Sequence, residues 1–204
     1  MKILIAVPTY ENIYPDTYKS IFGLNKGEHD CSFDFVRGYD CARARNNIAQ
    51  KALREGVDCV FMVDNDVVLP TNALMNLLEL NEEVCLGYYV HRHYSNSYDG
   101  KTSVCRLGEF NYTWQYPAAE LKEMCDRGDY KLQIHGGGMG CALIRVSAFQ
   151  KMNYPYFKWV NYDNGEVLSE DLYFCEQCKN YHIPIYTNTK VACGHMMRYI
   201  QWPV

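Results

Sequence analysis

A chain of 204 residues, 48% hydrophobic and 22% charged, is long enough for one buried core and too apolar for disorder. Its net charge of −4 gives no basic footprint and argues against nucleic acid as the main partner. No apolar stretch reaches the length of a membrane span, and Met1-Lys2 leads straight into a strand, so no signal peptide and a cytoplasmic location are expected.

Lys2 to Val7 reads as a first strand, ended by Pro8-Thr9-Tyr10-Glu11. A short helix is predicted over Tyr14 to Phe22 and a weakly defined strand over Cys31 to Val36. Asp40 to Arg54 is the clearest helix: Asp40 can cap it, its Ala, Arg and Gln favour it, and Gly56 stops it. Val57 to Val63 is the apolar, β-branched and aromatic run of a strand covered on both faces. Asp64-Asn65-Asp66 ends it, and Pro70 can open a helix from Thr71 to Leu80. Val84 to Val90 is a further strand, leading into His91-Arg92-His93. Tyr94 to Tyr130 has no clean period apart from a short helix near Ala118 to Cys125. Beyond it come a strand at Lys131 to Ile134, a tight passage at Gly136 to Gly138 and a strand at Met139 to Arg145. Ser147 can cap a helix at Ala148 to Met152, and Ser169-Glu170-Asp171 opens another that runs to Asn180 before a strand at Ile183 to Thr187. Strands alternating with helices predict one α/β domain, residues 1–204, with a largely parallel sheet.

Asp64-Asn65-Asp66 is the feature that points to chemistry. In an α/β sheet ligands bind at the carboxyl ends of the strands, and paired Asp side chains there can hold a hard cation, Mn²⁺ or Mg²⁺, that neutralises a diphosphate. The bland alternative is a turn, since Asp and Asn form turns readily. Thr9, Tyr10 and Glu11 could hold a base and ribose by stacking and by accepting hydroxyl protons, and Arg45 could reach a diphosphate or order Asp64. Its alternative is a solvated helix Arg. Gly136 to Gly138 allow a backbone to approach a sugar closely, or mark only a bulge. Glu170 and Asp171 suit general-base work, but acidic residues also belong in a helix's first turn. His91, Arg92 and His93, with Trp114 and Tyr116, are candidates to line an acceptor loop. The ten cysteines read as reduced, buried small hydrophobes. Cys175-x-x-Cys178 with Cys193-x-His195 could in principle hold zinc, although Cys175 and Cys178 would simply share one helix face.

The order of these pieces resembles the GT-A nucleotide-sugar glycosyltransferases, family 2 type, from Ile3 to about His195. The residues that carry the resemblance are Ile5-Ala6-Val7-Pro8-Thr9-Tyr10, Ala44-Arg45-Asn46, Val63-Asp64-Asn65-Asp66, Leu143-Ile144-Arg145, Ser169-Glu170-Asp171 and Gly194-His195. It implies a GT-A (Rossmann-like) fold with a mainly parallel central sheet flanked by helices. Residues 1–90 would form a nucleotide- and metal-binding half, and 91–204 an acceptor half. The implied reaction moves a sugar from a UDP- or GDP-sugar to a hydroxyl of a glycan or other acceptor. The cation would sit on Asp64, Asp66 and His195, with Asp66 as the direct ligand. Pro8, Thr9, Tyr10, Glu11, Asp40, Arg45, Asp64 and Asn65 would contact the donor nucleotide. Asp171 would be the base of an inverting reaction, and Glu170 would bind acceptor or donor sugar. The family's usual second-strand acidic signature is absent, which leaves Asp34 or Asp40 to take over base recognition. A sugar-1-phosphate nucleotidyltransferase and a non-catalytic nucleotide-sugar or glycan-binding module are the competing readings. The first usually has a Gly-rich, basic loop where this chain has Pro8-Thr9-Tyr10-Glu11.

Overall fold

The structure, a computed structural model, describes every residue except Glu11, Tyr39, 92–99, 108–114, 197–199 and 202–204, and of 200 and 201 the backbone alone. Strand β1 (Lys2–Thr9) is followed by helix α1 (Pro15–Phe22), strand β2 (Asp30–Arg37) and the long helix α2 (Cys41–Glu55). Then come β3 (Cys59–Val63), the short β4 (Val67–Val68), α3 (Ala73–Glu79) and β5 (Val84–Tyr88). The second half contributes β6 (Lys101–Cys105), β7 (Gln115–Pro117), α4 (Ala118–Arg127), β8 (Lys131–Ile134) and β9 (Gly136–Gly137). After β10 (Cys141–Arg145) and α5 (Val146–Lys151), a hairpin of β11 (Val160–Asn161) and β12 (Val167–Leu168) leads into α6 (Glu170–Asn180). The chain continues through β13 (Ile185–Ala192), β14 (Gly194–Met196) and β15 (Ile200–Gln201).

The central sheet has the order β2-β1-β3-β10-β5-β13-β8. It is mixed rather than mainly parallel: β1 pairs in parallel with β2 and β3, and β13 with β5, whereas β10 and β8 run against their neighbours. The reason is where β10 enters. Its first residue, Cys141, lies opposite Val63, the last residue of β3, so the chain starts β10 at the carboxyl end of its neighbours and has to run away from it. That entry places Gly140 directly beside Asp64, whose N–H its carbonyl accepts.

Alternate residues of each central strand feed two cores. Leu4, Val60, Met62, Leu86 and Ile144 pack with α2, α5 and α6 on one face, and Ile3, Ile5, Phe61, Cys85 and Leu143 with α1 and α3 on the other. Both faces are covered, which is why these strands read as continuous apolar runs. Cys175 and Cys178 belong to the first core and Cys193 to the second, so the sheet separates the two halves of the conceivable zinc set. Burial pushes the thiol pKa of Cys59 and Cys105 up to about 11 and that of Cys85 up to about 12. Because the thiolate is the reactive form, brief iodoacetamide treatment of native protein at neutral pH should label Cys41, which is exposed, well before any buried thiol. Mass mapping that found Cys59 or Cys85 modified as early would contradict this packing.

Most helix ends follow local chemistry. The Asp40 side chain accepts the Arg43 N–H at 2.8 Å and Gly56 ends α2 in the left-handed region, φ 63°. Ser147 does not cap its helix: Val146 has already begun α5, and the Ser147 hydroxyl donates to Glu83 at 2.6 Å instead.

Candidate functional site

The carboxyl end of β3 delivers Asp64-Asn65-Asp66 as a tight turn. The Val67 N–H donates to the Asp64 carbonyl at 3.2 Å, and the Asp64 N–H donates to the Gly140 carbonyl at 3.0 Å. Asn65 ties the turn to the segment after β1: its side-chain amide donates to the Asn12 carbonyl, and its own carbonyl accepts the Tyr14 N–H. Thr9 is spent on the same loop, donating to Asn12, while Tyr10 stands exposed. Pro8 is the penultimate residue of β1, and Glu11 lies outside the described residues.

Arg45 is not a solvated helix Arg. It is 3% exposed, on the first turns of α2, with Nη2 2.9 Å from Asp64 Oδ1 and Nε 3.4 Å from Glu170 Oε1. Its Nη1 is buried without a partner among the described residues. Burial opposes the charge on Arg45, but Asp64 and Glu170 outweigh it and raise its pKa. The pKa of Glu170 is raised rather than lowered. Burial dominates there, Asp171 adds a like charge, and the guanidinium is shared with Asp64. Glu170 is thus a structural counter-ion of Arg45, harder to ionise than a free carboxyl.

Asp171 differs from its neighbour. It is half-buried; its Oδ1 takes the Ser169 hydroxyl and the Leu172 N–H, while Oδ2 has no partner among the described residues. Ser169 occupies the N-cap position of α6 but makes no side-chain cap, its hydroxyl being used on Asp171.

His195 arrives from the far end of the sequence. Strand β14 pairs with β4, His195 opposite Val67, and the Met196 N–H donates to the Asp66 carbonyl, so β14 is laced to the turn. His195 Nε2 stands 3.8 Å from Asp66 Oδ2, and its Nδ1 lies 2.8 Å from the Val90 carbonyl. A carbonyl can only accept, so Nδ1 carries a proton, and Nε2 is the nitrogen turned towards Asp66.

Tyr89, a residue that sequence reasoning did not single out, organises the floor. Its buried ring lies against His195, centroids 5.0 Å apart, and its hydroxyl accepts the Gly140 N–H at 3.3 Å. A Cβ on Gly138 would come within 2.3 Å of that hydroxyl, and one on Gly136 within 2.7 Å of Cys175 Sγ. These glycines therefore admit Tyr89 and α6, and the space a sugar was expected to approach is filled by protein. Two small residues, Gly138 and Gly140, in a chain that carries Tyr89 directly after an apolar strand were the one available signal. Gly138→Ala should cost about 1–3 kcal/mol through overpacking, with Tyr89→Phe in the same chain restoring part of it in a thermal melt. Equal loss with and without the Tyr89 change would remove this contact as the cause.

Several expected residues lie elsewhere. Asp34 is paired with Lys51 and Asp40 is occupied as the α2 cap, which leaves both committed to helix α2. Tyr116 is buried beneath the Arg106 guanidinium, 4.3 Å from its ring centroid, and offers no face to a sugar. Arg92, His93 and Trp114 lie outside the described residues. Among the described residues no three His, Cys, Asp or Glu side chains form a metal-holding group. No helix is long and apolar enough to cross a membrane.

No family model and no curated protein matches the chain. Among solved structures it is similar to the crystal structure of A197 from STIV, with a TM-score of 0.63 and 19% identity over 97% of this chain and 86% of that one. At that identity the likeness establishes a shared fold.

Proposed function

We propose that this protein is a GT-A-type glycosyltransferase that moves a sugar from a UDP- or GDP-sugar to an acceptor hydroxyl with the help of Mn²⁺ or Mg²⁺. The observation that carries the reading is the Asp66–His195 pair at the carboxyl end of β3. An aspartate oxygen and an imidazole nitrogen face each other at 3.8 Å, the imidazole oriented through its other nitrogen by a backbone carbonyl. A hydrogen-bond partner on the other ring nitrogen accompanies most metal-binding histidines. Hard cations of this class are commonly held by one or two protein ligands and completed by substrate phosphates and water, so a pair is a fitting donor set. Such a cation supplies Lewis-acid stabilisation of a departing diphosphate.

The chain's own residues divide the remaining work. Arg45 and Glu170 fix Asp64 on the turn, and Asp64 faces the donor from that position. Asp171, with one carboxylate oxygen uncommitted and the other anchored by Ser169 and Leu172, is the base that takes the acceptor proton. The exposed rings of Trp159 and Tyr162 on the hairpin that feeds α6 offer sugar-stacking faces to the acceptor.

Calorimetric titration with UDP and with GDP, each in Mn²⁺ and in chelator, tests the reading. One nucleotide should bind, and only with metal. Binding of neither, or binding indifferent to chelator, would reject the donor site.

A further inference from the structure

Away from this site, an aromatic surface covers the outer edge of the sheet. Tyr18 and Phe22, one helical turn apart on α1, are 49% and 78% exposed, and Phe33 and Phe35 on β2 are 42% and 40% exposed. The two phenylalanine rings meet edge to face at 4.7 Å and, with Tyr18, Phe22, Ile21 and Cys31, border a cavity of about 300 Å³. Strand β2 is the last in the sheet order, and no described strand pairs with its outer edge. An eight-residue edge with apolar side chains and no proline is a template for another strand.

We propose that β2 pairs antiparallel with β2 of a second copy about a two-fold axis at Phe33, which joins the two sheets into one. A two-fold axis normal to a sheet brings residues of the same face opposite one another. Two registers then overlap most of the strand. Centring on Asp34 sets Asp34 against its own copy, a like-charge cross-strand pair and therefore destabilising. Centring on Phe33 sets Phe33 against Phe33, Cys31 against Phe35 and Asp34 against Ser32, with no like charges opposed. Charge thus selects the second register, and it pairs aromatic and apolar groups along the face that α1 borders. The four aromatics present on the order of 400 Å² per copy, roughly half of what each side of a standard interface buries. The paired strands and the flank of α1 add to that area. The charges around the patch are mixed, Asp16, Glu28 and Asp30 with Lys19 and Lys26, so it lacks the basic collar that anionic lipid selects.

Sedimentation equilibrium of the whole chain tests this. Wild type should run at twice the 23.7 kDa chain mass at micromolar concentration. Phe33→Lys and, independently, Phe22→Ser should run as monomers with an unchanged circular dichroism spectrum. Leu107→Ser, beside β8 at the opposite edge, should stay dimeric. Under mild oxidation Phe33→Cys should give a 33–33 crosslink in mass mapping and Asp34→Cys should not. A monomeric wild type, including one that floats with anionic phosphatidylserine vesicles, overturns the proposal, as does a folded Phe33→Lys variant that remains dimeric. Crosslinking through Asp34→Cys alone overturns the register.

Discussion

Replacing Arg45 by Met should lower stability by about 3–5 kcal/mol, the usual cost of removing one partner from a buried ion pair. In a chain of this size that is a fall in melting temperature of roughly 6–20 °C. The physical reason lies in what is left behind. Glu170 is buried, already raised in pKa by its desolvation, and Arg45 is the cation that faces it at 3.4 Å. Asp64 loses its 2.9 Å partner as well, but stays partly in contact with water and suffers less. Arg45→Met combined with Glu170→Met should therefore recover much of the loss, because a neutral pair of similar volume leaves no stranded charge. Arg45→Lys should not, since one ammonium cannot serve two carboxylates along the two edges of a guanidinium. Melts in which Arg45→Met alone costs less than about 1 kcal/mol, the range of an exposed pair, would show that this cluster is solvated rather than buried.

Replacing Asp66 by Ala should abolish metal-dependent nucleotide binding while leaving the melting temperature close to wild type. The loss should exceed the ~10–100-fold that follows removal of an outer-shell partner of a metal site. Asp66 sits at a turn whose backbone bonds run through its carbonyl, which accepts the Met196 N–H, and alanine keeps that bond. His195→Gln should weaken binding as well, by removing the nitrogen that faces Asp66, but at a larger cost to stability because the ring packs on Tyr89. Calorimetry with Mn²⁺ and either nucleotide separates the two effects. Asp66→Ala protein that still bound nucleotide in a metal-dependent way would place the cation elsewhere.

The two replacements probe parts of the site that differ in how far the chain announces them. Asp64 to Asp66 stood out because an apolar strand ended in carboxylates, and the α2 cap and stop, Asp40 and Gly56, were equally local. Ser147 misled because a hydroxyl near a helix start has two uses, and Glu83 on a neighbouring segment took it. Strand β13 runs to Ala192, well past the expected Thr187, since Asn188 to Lys190 are polar and are satisfied by groups outside the strand: the Asn188 amide donates to Asn76, and the Thr189 hydroxyl to Asp129. The mixed sheet was hidden because strand direction is not encoded in strand composition; it follows from the end at which the chain enters.

What the sequence determined by itself were the short-range matters: the strands of the central sheet and the helices between them, where α2 begins and ends, and that two carboxylates terminate β3. Those depend on side chains a few residues apart. Short strands such as β6, β7, β11 and β12 were not legible. Only the tertiary structure decided that Arg45 is a buried clamp on Asp64 and on Glu170, 125 residues away, and not a solvated side chain. It also decided that His195 presents Nε2 to Asp66, because β14 pairs with β4 and the Val90 carbonyl accepts the hydrogen bond from Nδ1. A charge at a strand end is written in the chain, but its partner is chosen by whichever distant segment the sheet brings within a few ångströms, where burial makes the pairing obligatory.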